Sequence, residues 1–315
     1  MESSRTRSRR RTRPSRRRPL LCTALTVVAV CGVTAGGTAY VKARAHGGSA
    51  AVSSASPSAS SSAGAGQEAA MTRPAAVDRT ARLAEAMASV AVPSGAKVSA
   101  AVLQTGSGDS AVYGDAAFDT ASIVKVDILA ALLLQAQDAD RRLTAAERAY
   151  AAKMIENSDN ASATALWHTI GRAPGLDAAN RRFGLTQTSG GDGELWGLTQ
   201  TTAADQLALL RQVFGEESKL SAASRTYLQA LMKSVEADQQ WGVSAAAEGN
   251  SWALKNGWLA RSTTGLWDVN SIGRVTVDGT DCLVAVLSNG TTSRAKGIAL
   301  VEAAAKAAVS ALAGT

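Results

Sequence analysis

The chain has 315 residues, 46% of them apolar, with 33 Lys and Arg against 26 Asp and Glu and a net charge of +7. That length suits one large domain with appendages, or two small ones. Nine Arg and one Glu fall in residues 1–18, and Lys42 and Arg44 follow, so residues 46–315 carry a net charge of −3; a fold without a basic stripe argues against nucleic-acid binding.

The N-terminus, "RRTRPSRRRPLLCTALTVVAVCGVTAGGTAYVKARA", is an export or anchoring segment. Arginines are retained on the cytoplasmic side, which places the rest of the chain outside. The apolar run from Leu20 to Val41 is 22 residues long, enough to cross a bilayer once. Equally, Leu20 to Val33 is a signal-peptide core, with Ala43-Arg44-Ala45 as an A-x-A cleavage site. "VVAVC", ending at Cys31, is a poor lipobox because Val30 is too large. The expected location is the extracytoplasmic face of the membrane, held by this segment alone, or the exterior after cleavage. Residues 46–75 are rich in Ser, Ala and Gly and form a flexible tether. The expected organisation is leader 1–45, linker 46–75 and one domain over 76–315.

Along that domain, "AAVDRTARLAEAMASVAV" has helical spacing at Val77, Leu83, Met87 and Val90. "KVSAAVLQTG" and "SAVYGD" are strand-like. "DTASIVKVDILAALLL" (119–134) is a helix. "LTAAERAYAAKMIENSDNASATALWHTIG" is one or two helices with a polar break at "NSDN". Residues 201–214 and 221–235 are amphipathic helices. After Gly249 come three strands, the last two joined by Asp278-Gly279, a tight-hairpin pair. "RAKGIALVEAAAKAAVSALA" closes the chain as a helix. Strands at both ends and helices between predict an α+β fold: an antiparallel sheet of N- and C-terminal strands with an all-helical lobe.

Cys22 and Cys31 lie in the apolar leader, which leaves Cys282 alone in the domain and excludes an internal disulfide there. His46 and His168 are the only histidines, so a Cys/His zinc site is not expected. His168 lies on a helix beside Trp167 with no nucleophile-elbow motif near it, and is expected to be packed. Cys282, in "DCLVAVL", is a buried strand thiol.

The S-x-x-K pattern occurs three times. Ser94–Lys97 precedes a strand and is a loop. Ser293–Lys296 opens the last helix, where Ser293 is a good N-cap. Ser122–Lys125 opens a helix that is apolar all round and therefore buried. Residues three apart are neighbours on a helix. Desolvation lowers a lysine pKa, and a neutral lysine accepts a proton from serine, which activates a nucleophile without histidine. The competing reading is an N-cap serine with a snorkelling lysine.

"ENSDNAS" supplies Ser158-Asp159-Asn160, and "ALKNGW" supplies Lys255-Asn256-Gly257. In the order S-x-x-K, S-D-N, K-x-G, these motifs resemble those of class A β-lactamases and penicillin-binding proteins. The resemblance spans nearly the whole domain. It extends to the helix leading through S-D-N and to "TTAADQLALLRQV", which is similar to the helix after that family's omega loop. It implies that Ser122 is the nucleophile and that Lys125 helps deprotonate it. Ser158 passes a proton to the leaving nitrogen, and Lys255 supports Ser158. Asn160 binds the substrate side-chain amide, and Asp159 orders its turn. Gly257 lets substrate lie against the strand, and the backbone N–H groups of Ser122 and Trp258 form the oxyanion hole. No metal or organic cofactor is implied.

Three departures stand out. Asn256 replaces the usual Thr or Ser, which leaves carboxylate recognition open. Arg261 and Arg274 are alternative carboxylate partners. Ser122 and Ser158 are only 36 residues apart, so the helical lobe is shortened. Glu194, in "GGDGELWGLTQTT", is the candidate base for deacylation, set in a short omega loop; Trp196 and Trp258 are placed to narrow the cleft or to pack. The expected function is class A-like opening of β-lactams through an acyl-enzyme. A penicillin-binding or D-alanyl-peptidase-like acyl hydrolase, or a non-catalytic sensor of cell-wall peptide or β-lactam, is the alternative. Partners are then a small β-lactam or a peptidoglycan peptide, with a single chain expected to suffice.

Overall fold

The computed structural model describes residues 78–312; the leader, the tether and the start assigned to the domain lie outside the described residues. Five strands form one antiparallel sheet: β1 (Lys97–Gln104), β2 (Ser110–Tyr113), β5 (Trp252–Ala260), β6 (Trp267–Val277) and β7 (Thr280–Thr291), in the order β2-β1-β7-β6-β5. The N-terminal hairpin and the C-terminal meander meet where β1 pairs with β7, Ala101 opposite Ala285. Asp278 and Gly279 make the two-residue turn between β6 and β7, both at positive φ (49° and 71°), as a tight hairpin following the strand twist demands.

Both faces of the sheet are covered, which explains why β1 and β7 lack polar alternation. Ala100, Val102, Val284 and Val286 pack on Leu83 and Met87 of α1 (Arg79–Ala88) and on Val301, Ala304 and Ala308 of α8 (Arg294–Ser310). Ala101, Leu103, Ala285 and Leu287 face the helical lobe. That lobe contains α2 (Val124–Asp138), α3 (Ala145–Glu156), α4 (Asn160–Thr169), α5 (Arg172–Phe183), α6 (Ala203–Phe214) and α7 (Ala222–Lys233). α2 runs through its middle, touching α3, α4, α5 and α7.

Local signals set the helix ends. Thr144 and Glu147 form a reciprocal capping box at α3. Asp159, Thr202, Ser221 and Ser293 each cap a helix with a side-chain oxygen, worth about 1 kcal/mol apiece. Three elements lack a signal in the sequence. α5 contains Pro174 and Gly175 and has little apolar periodicity; Pro174 is tolerated because it sits in the first turn, where its missing N–H is not needed. β3 (Phe118–Asp119) and β4 (Gln200–Thr201) pair across 81 residues, and two-residue strands leave no pattern to read.

Candidate active site

The cleft residues come from four places. Ser122 lies in a 3₁₀ turn, Ala121–Ile123, immediately before α2, rather than at an α-helix N-cap. Ala121 has φ +47°, a left-handed backbone that costs a non-glycine residue about 1–3 kcal/mol and must be held from outside. Several bonds hold it. Thr120 N–H donates to Thr199 O at 2.9 Å. The buried amide of Asn270 on β6 donates to Asp119 O (2.8 Å) and Thr120 O (3.0 Å).

Lys125 is fully buried. Its Nζ donates to Ser158 O (2.6 Å), Ser158 Oγ (3.1 Å) and Asn160 Oδ1 (2.7 Å). Ser122 Oγ is not among its hydrogen-bond partners; such contacts commonly tighten only when substrate arrives. Burial lowers the Lys125 amine to about 7, against the opposing charge of Asp159. Holding it neutral there costs on the order of 5 kcal/mol at 1.36 kcal/mol per pH unit. Ile128, Leu129, Leu132, Leu133 and Leu134, buried on the same helix, offset that at about 1.5–3 kcal/mol each.

Ser158 sits in the turn between α3 and α4 at φ +55°. Its hydroxyl also receives Lys255 Nζ at 3.0 Å, and Lys255 donates to Asn256 O at 2.8 Å. Lys255 is fully buried on β5, and burial first, then the Lys125 charge, holds it well below the ordinary lysine value. One hydroxyl oxygen therefore lies between two buried amines. Such a chain can carry a proton from one nitrogen through oxygen to the other, because not both amines can be charged at that spacing.

β5 is the edge strand beside the nucleophile turn. A Cβ on Gly257 would lie 2.7 Å from Ser122 N and 2.8 Å from Ile123 N and Thr120 O. The Ser122 turn itself thus requires the glycine, a second reason beside the room for substrate expected of it.

The sequence profile described as "Beta-lactamase enzyme family" matches residues 146–312, which include Ser158, Asn160 and Lys255. The chain belongs to the β-lactamase enzyme family. Membership supports a hydrolase. A β-lactamase from Xanthomonas campestris superposes with a TM-score of 0.60 at 24% identity, over 73% of this chain and 95% of that one. A structure of PBP-A gives a TM-score of 0.64 at 19% identity, over 74% and 96%. A class A β-lactamase representative from Bacteroides cellulosilyticus gives 0.64 at 16%, over 75% and 99%. At these identities the likeness is one of fold. No curated protein sequence matches the chain.

Against that family pattern, the structure moves several sequence-predicted residues. Glu194 is exposed and pairs with His168 Nε2 (2.7 Å) and Arg172 (2.9 Å) at the junction of α4 and α5. Its carboxylate is thus held by two partners at the exposed end of the loop. His168 is correspondingly half-exposed rather than packed; Trp167, one step round the helix, takes the buried side and donates to Gly193 O at 2.8 Å. The residue of that loop that does reach the cleft is Trp196, whose ring centroid is 5.0 Å from Lys125 Nζ.

Asn256 is buried, and its amide donates to Gln239 O (2.7 Å) and Trp241 O (2.9 Å). With both donors used, it clamps the 237–241 segment and has no N–H for a substrate carboxylate. Asn160 is brought in, but through its carbonyl oxygen, which Lys125 holds. Arg261 pairs with Asp119, and Arg274 with Asp281 at 3.2 Å, so both already have carboxylates. Sequence reading missed Arg294. Its guanidinium stacks 4.1 Å from the Trp258 ring and 5.8 Å from Trp241, and its buried Nε has no hydrogen-bond partner. It directly follows the N-cap Ser293, and its two aromatic partners are far away in sequence. Cys282 is buried, as expected of a strand thiol.

Proposed function

We propose that this hydrolase is a serine enzyme that opens β-lactam rings through an acyl-enzyme on Ser122 and releases the acyl group slowly. That is the behaviour of a penicillin-binding or D-alanyl-peptidase-type acyl hydrolase, acting outside the membrane by virtue of its leader. The observation that carries the reading is the Ser158 hydroxyl within 3.1 Å of Lys125 Nζ and 3.0 Å of Lys255 Nζ, both amines buried.

Ser122 Oγ attacks the lactam carbonyl carbon while its proton passes to neutral Lys125. Negative charge on the carbonyl oxygen meets the backbone N–H groups of Ser122 and Trp258, each such donor being worth roughly 10²–10³ in rate. The C–N bond breaks, Ser158 gives its proton to the leaving nitrogen, and the Lys125 proton refills Ser158. Lys255 keeps the Ser158 oxygen oriented and stabilises charge on it. Asn160, its carbonyl held by Lys125, has its amide N–H groups for a substrate carbonyl. Arg294, stacked on Trp258 and paired with no carboxylate among the described residues, is suited to a substrate carboxylate. Water then attacks the ester and returns Ser122.

Faster turnover, as in a β-lactamase, would need a base near that ester, and the pairing of Glu194 with His168 and Arg172 favours the slow-release form. The test is a chromogenic cephalosporin time course on the full chain in detergent, with intact-mass spectrometry. A stoichiometric adduct that Ser122→Ala abolishes supports the proposal. Neither adduct nor turnover in the wild type would refute it.

A further inference from the structure

The indole of Trp196 sits where the omega-loop carboxylate was expected. In its charged form Lys125 Nζ has three hydrogens, and its three acceptors are Ser158 O, Ser158 Oγ and Asn160 Oδ1. The ring of Trp196 lies 5.0 Å from the same nitrogen, a distance at which an aromatic face favours the charged ammonium.

The ring is not a loose cover. Its Nε1 donates to Thr164 Oγ1 on α4 at 3.1 Å. Trp196–Leu198 form a 3₁₀ turn stitched to the residues just before the nucleophile. Thr120 Oγ1 donates to Gly197 O at 3.4 Å, and Thr120 N donates to Thr199 O at 2.9 Å. A Cβ on Gly197 would lie 3.9 Å from Ala121 Cα. The Trp196 backbone and the Ser122 turn are thus tied together, and the side chain is pinned to the helix that follows Ser158.

An indole N–H is a donor only, and this one is already used. Trp196 therefore has no atom that can take a proton from water. Glu194, two residues earlier, is turned out to His168 and Arg172. On the loop side, Lys125 is faced by an apolar, inert surface. The proton path used in acylation, from Lys125 through Ser158 to the leaving nitrogen, does not pass through the ring.

We infer that Trp196 is a positioning residue that sets the lifetime of the acyl-enzyme, by excluding from the loop side of Lys125 the water that would hydrolyse the Ser122 ester. The inference rests on the proposed acyl-enzyme. In the step it suppresses, the water oxygen attacks the ester carbonyl carbon and the water proton goes to Lys125 Nζ. The C–Oγ bond then breaks, and the proton returns to Ser122 Oγ. Removing the ring opens that space to water, and the neutral form of Lys125, which burial maintains, supplies the acceptor that this step requires.

The experiment is burst kinetics of the full chain with a chromogenic cephalosporin across the pH range, on the wild type, Trp196→Ala and Trp196→Phe, with thermal unfolding as the check on folding. Trp196→Ala is expected to release the acyl group at least about tenfold faster. The acid limb of its acylation profile is expected to move up, because the water that enters relieves part of the burial that lowers the Lys125 amine, and this outweighs the lost cation–π contact. Trp196→Phe keeps an aromatic face but loses the bond to Thr164, and should fall between the two. A merely structural tryptophan would not move the acid limb. If the wild type forms an adduct and both variants release it at the wild-type rate with an unshifted limb, the inference is overturned and the proposed function stands. If the wild type forms no adduct, both fall.

Discussion

Replacing Asp127 by asparagine is expected to stabilise the protein at neutral pH. Asp127 lies on α2, two residues after Lys125, is 1% exposed, and neither carboxyl oxygen has a hydrogen-bond partner. Burial raises its carboxyl from the ordinary 3.8 to about 8; the nearby amide of Asn180, which falls short of hydrogen-bond geometry, opposes the rise only in part, and the carboxylates of Asp177 and Asp205 add to it. The folded protein therefore keeps a proton that the unfolded chain releases. The associated stability is fully present below the unfolded value and is lost as pH rises from there through the folded value. At pH 7, some three pH units above 3.8, the loss is about 4 kcal/mol at 1.36 kcal/mol per unit. Asparagine carries no such proton, but its NH₂ needs partners that Asn180 meets only in part, which takes back roughly 1–3 kcal/mol. A net gain of about 1–3 kcal/mol corresponds to a Tm rise of roughly 5 °C for a domain of this size. The assay is thermal unfolding by circular dichroism, from about pH 5 to about pH 8. The wild-type Tm should fall across that range relative to the variant, with the gap widening toward higher pH. A constant difference between the two proteins across the range would refute the reasoning.

Three other variants test the site. Gly257→Ala puts a methyl 2.7 Å from Ser122 N, and acylation should drop by about 100-fold, as expected when a reacting group is displaced by ~1 Å; a burst rate within threefold of wild type would contradict this. Glu194→Gln removes exposed ion pairs worth at most about 1 kcal/mol, so acyl release measured by mass spectrometry should stay within about twofold. A tenfold slowing would restore Glu194 as the base. Asn256→Thr strands the carbonyls of Gln239 and Trp241 and should lower stability in urea by roughly 2–5 kcal/mol without tightening β-lactam capture. Unchanged stability with tighter capture would show that Asn256 serves the substrate instead.

The sequence alone determined the α+β class, because periodicity and caps are local. The strands of β1, β5, β6 and β7, the turn at Asp278-Gly279 and the long helices are each written in side chains within a few residues of one another. It also determined the candidate chemistry. Ser122, Lys125, Ser158 and Lys255 are spaced motifs, and a lysine entering an all-apolar helix has to be desolvated wherever that helix packs.

What only the tertiary structure decided concerns aim. Glu194 and Trp196 are two residues apart in a glycine-rich loop, and nothing local says which of them faces Lys125. The pairing with His168 and Arg172 from α4 and α5, and the bond from the indole to Thr164, settle it. Asn256 reads as a substrate donor until the 237–241 segment presents two carbonyls to it. Gly257 reads only as room for substrate until the Ser122 turn is laid against β5. Arg294 became visible only when Trp258 and Trp241 were brought under it from the two ends of a strand and a loop. In each case the deciding partner is far away in sequence, so its hydrogen bond or steric contact exists only once the sheet and the helical lobe have closed on one another.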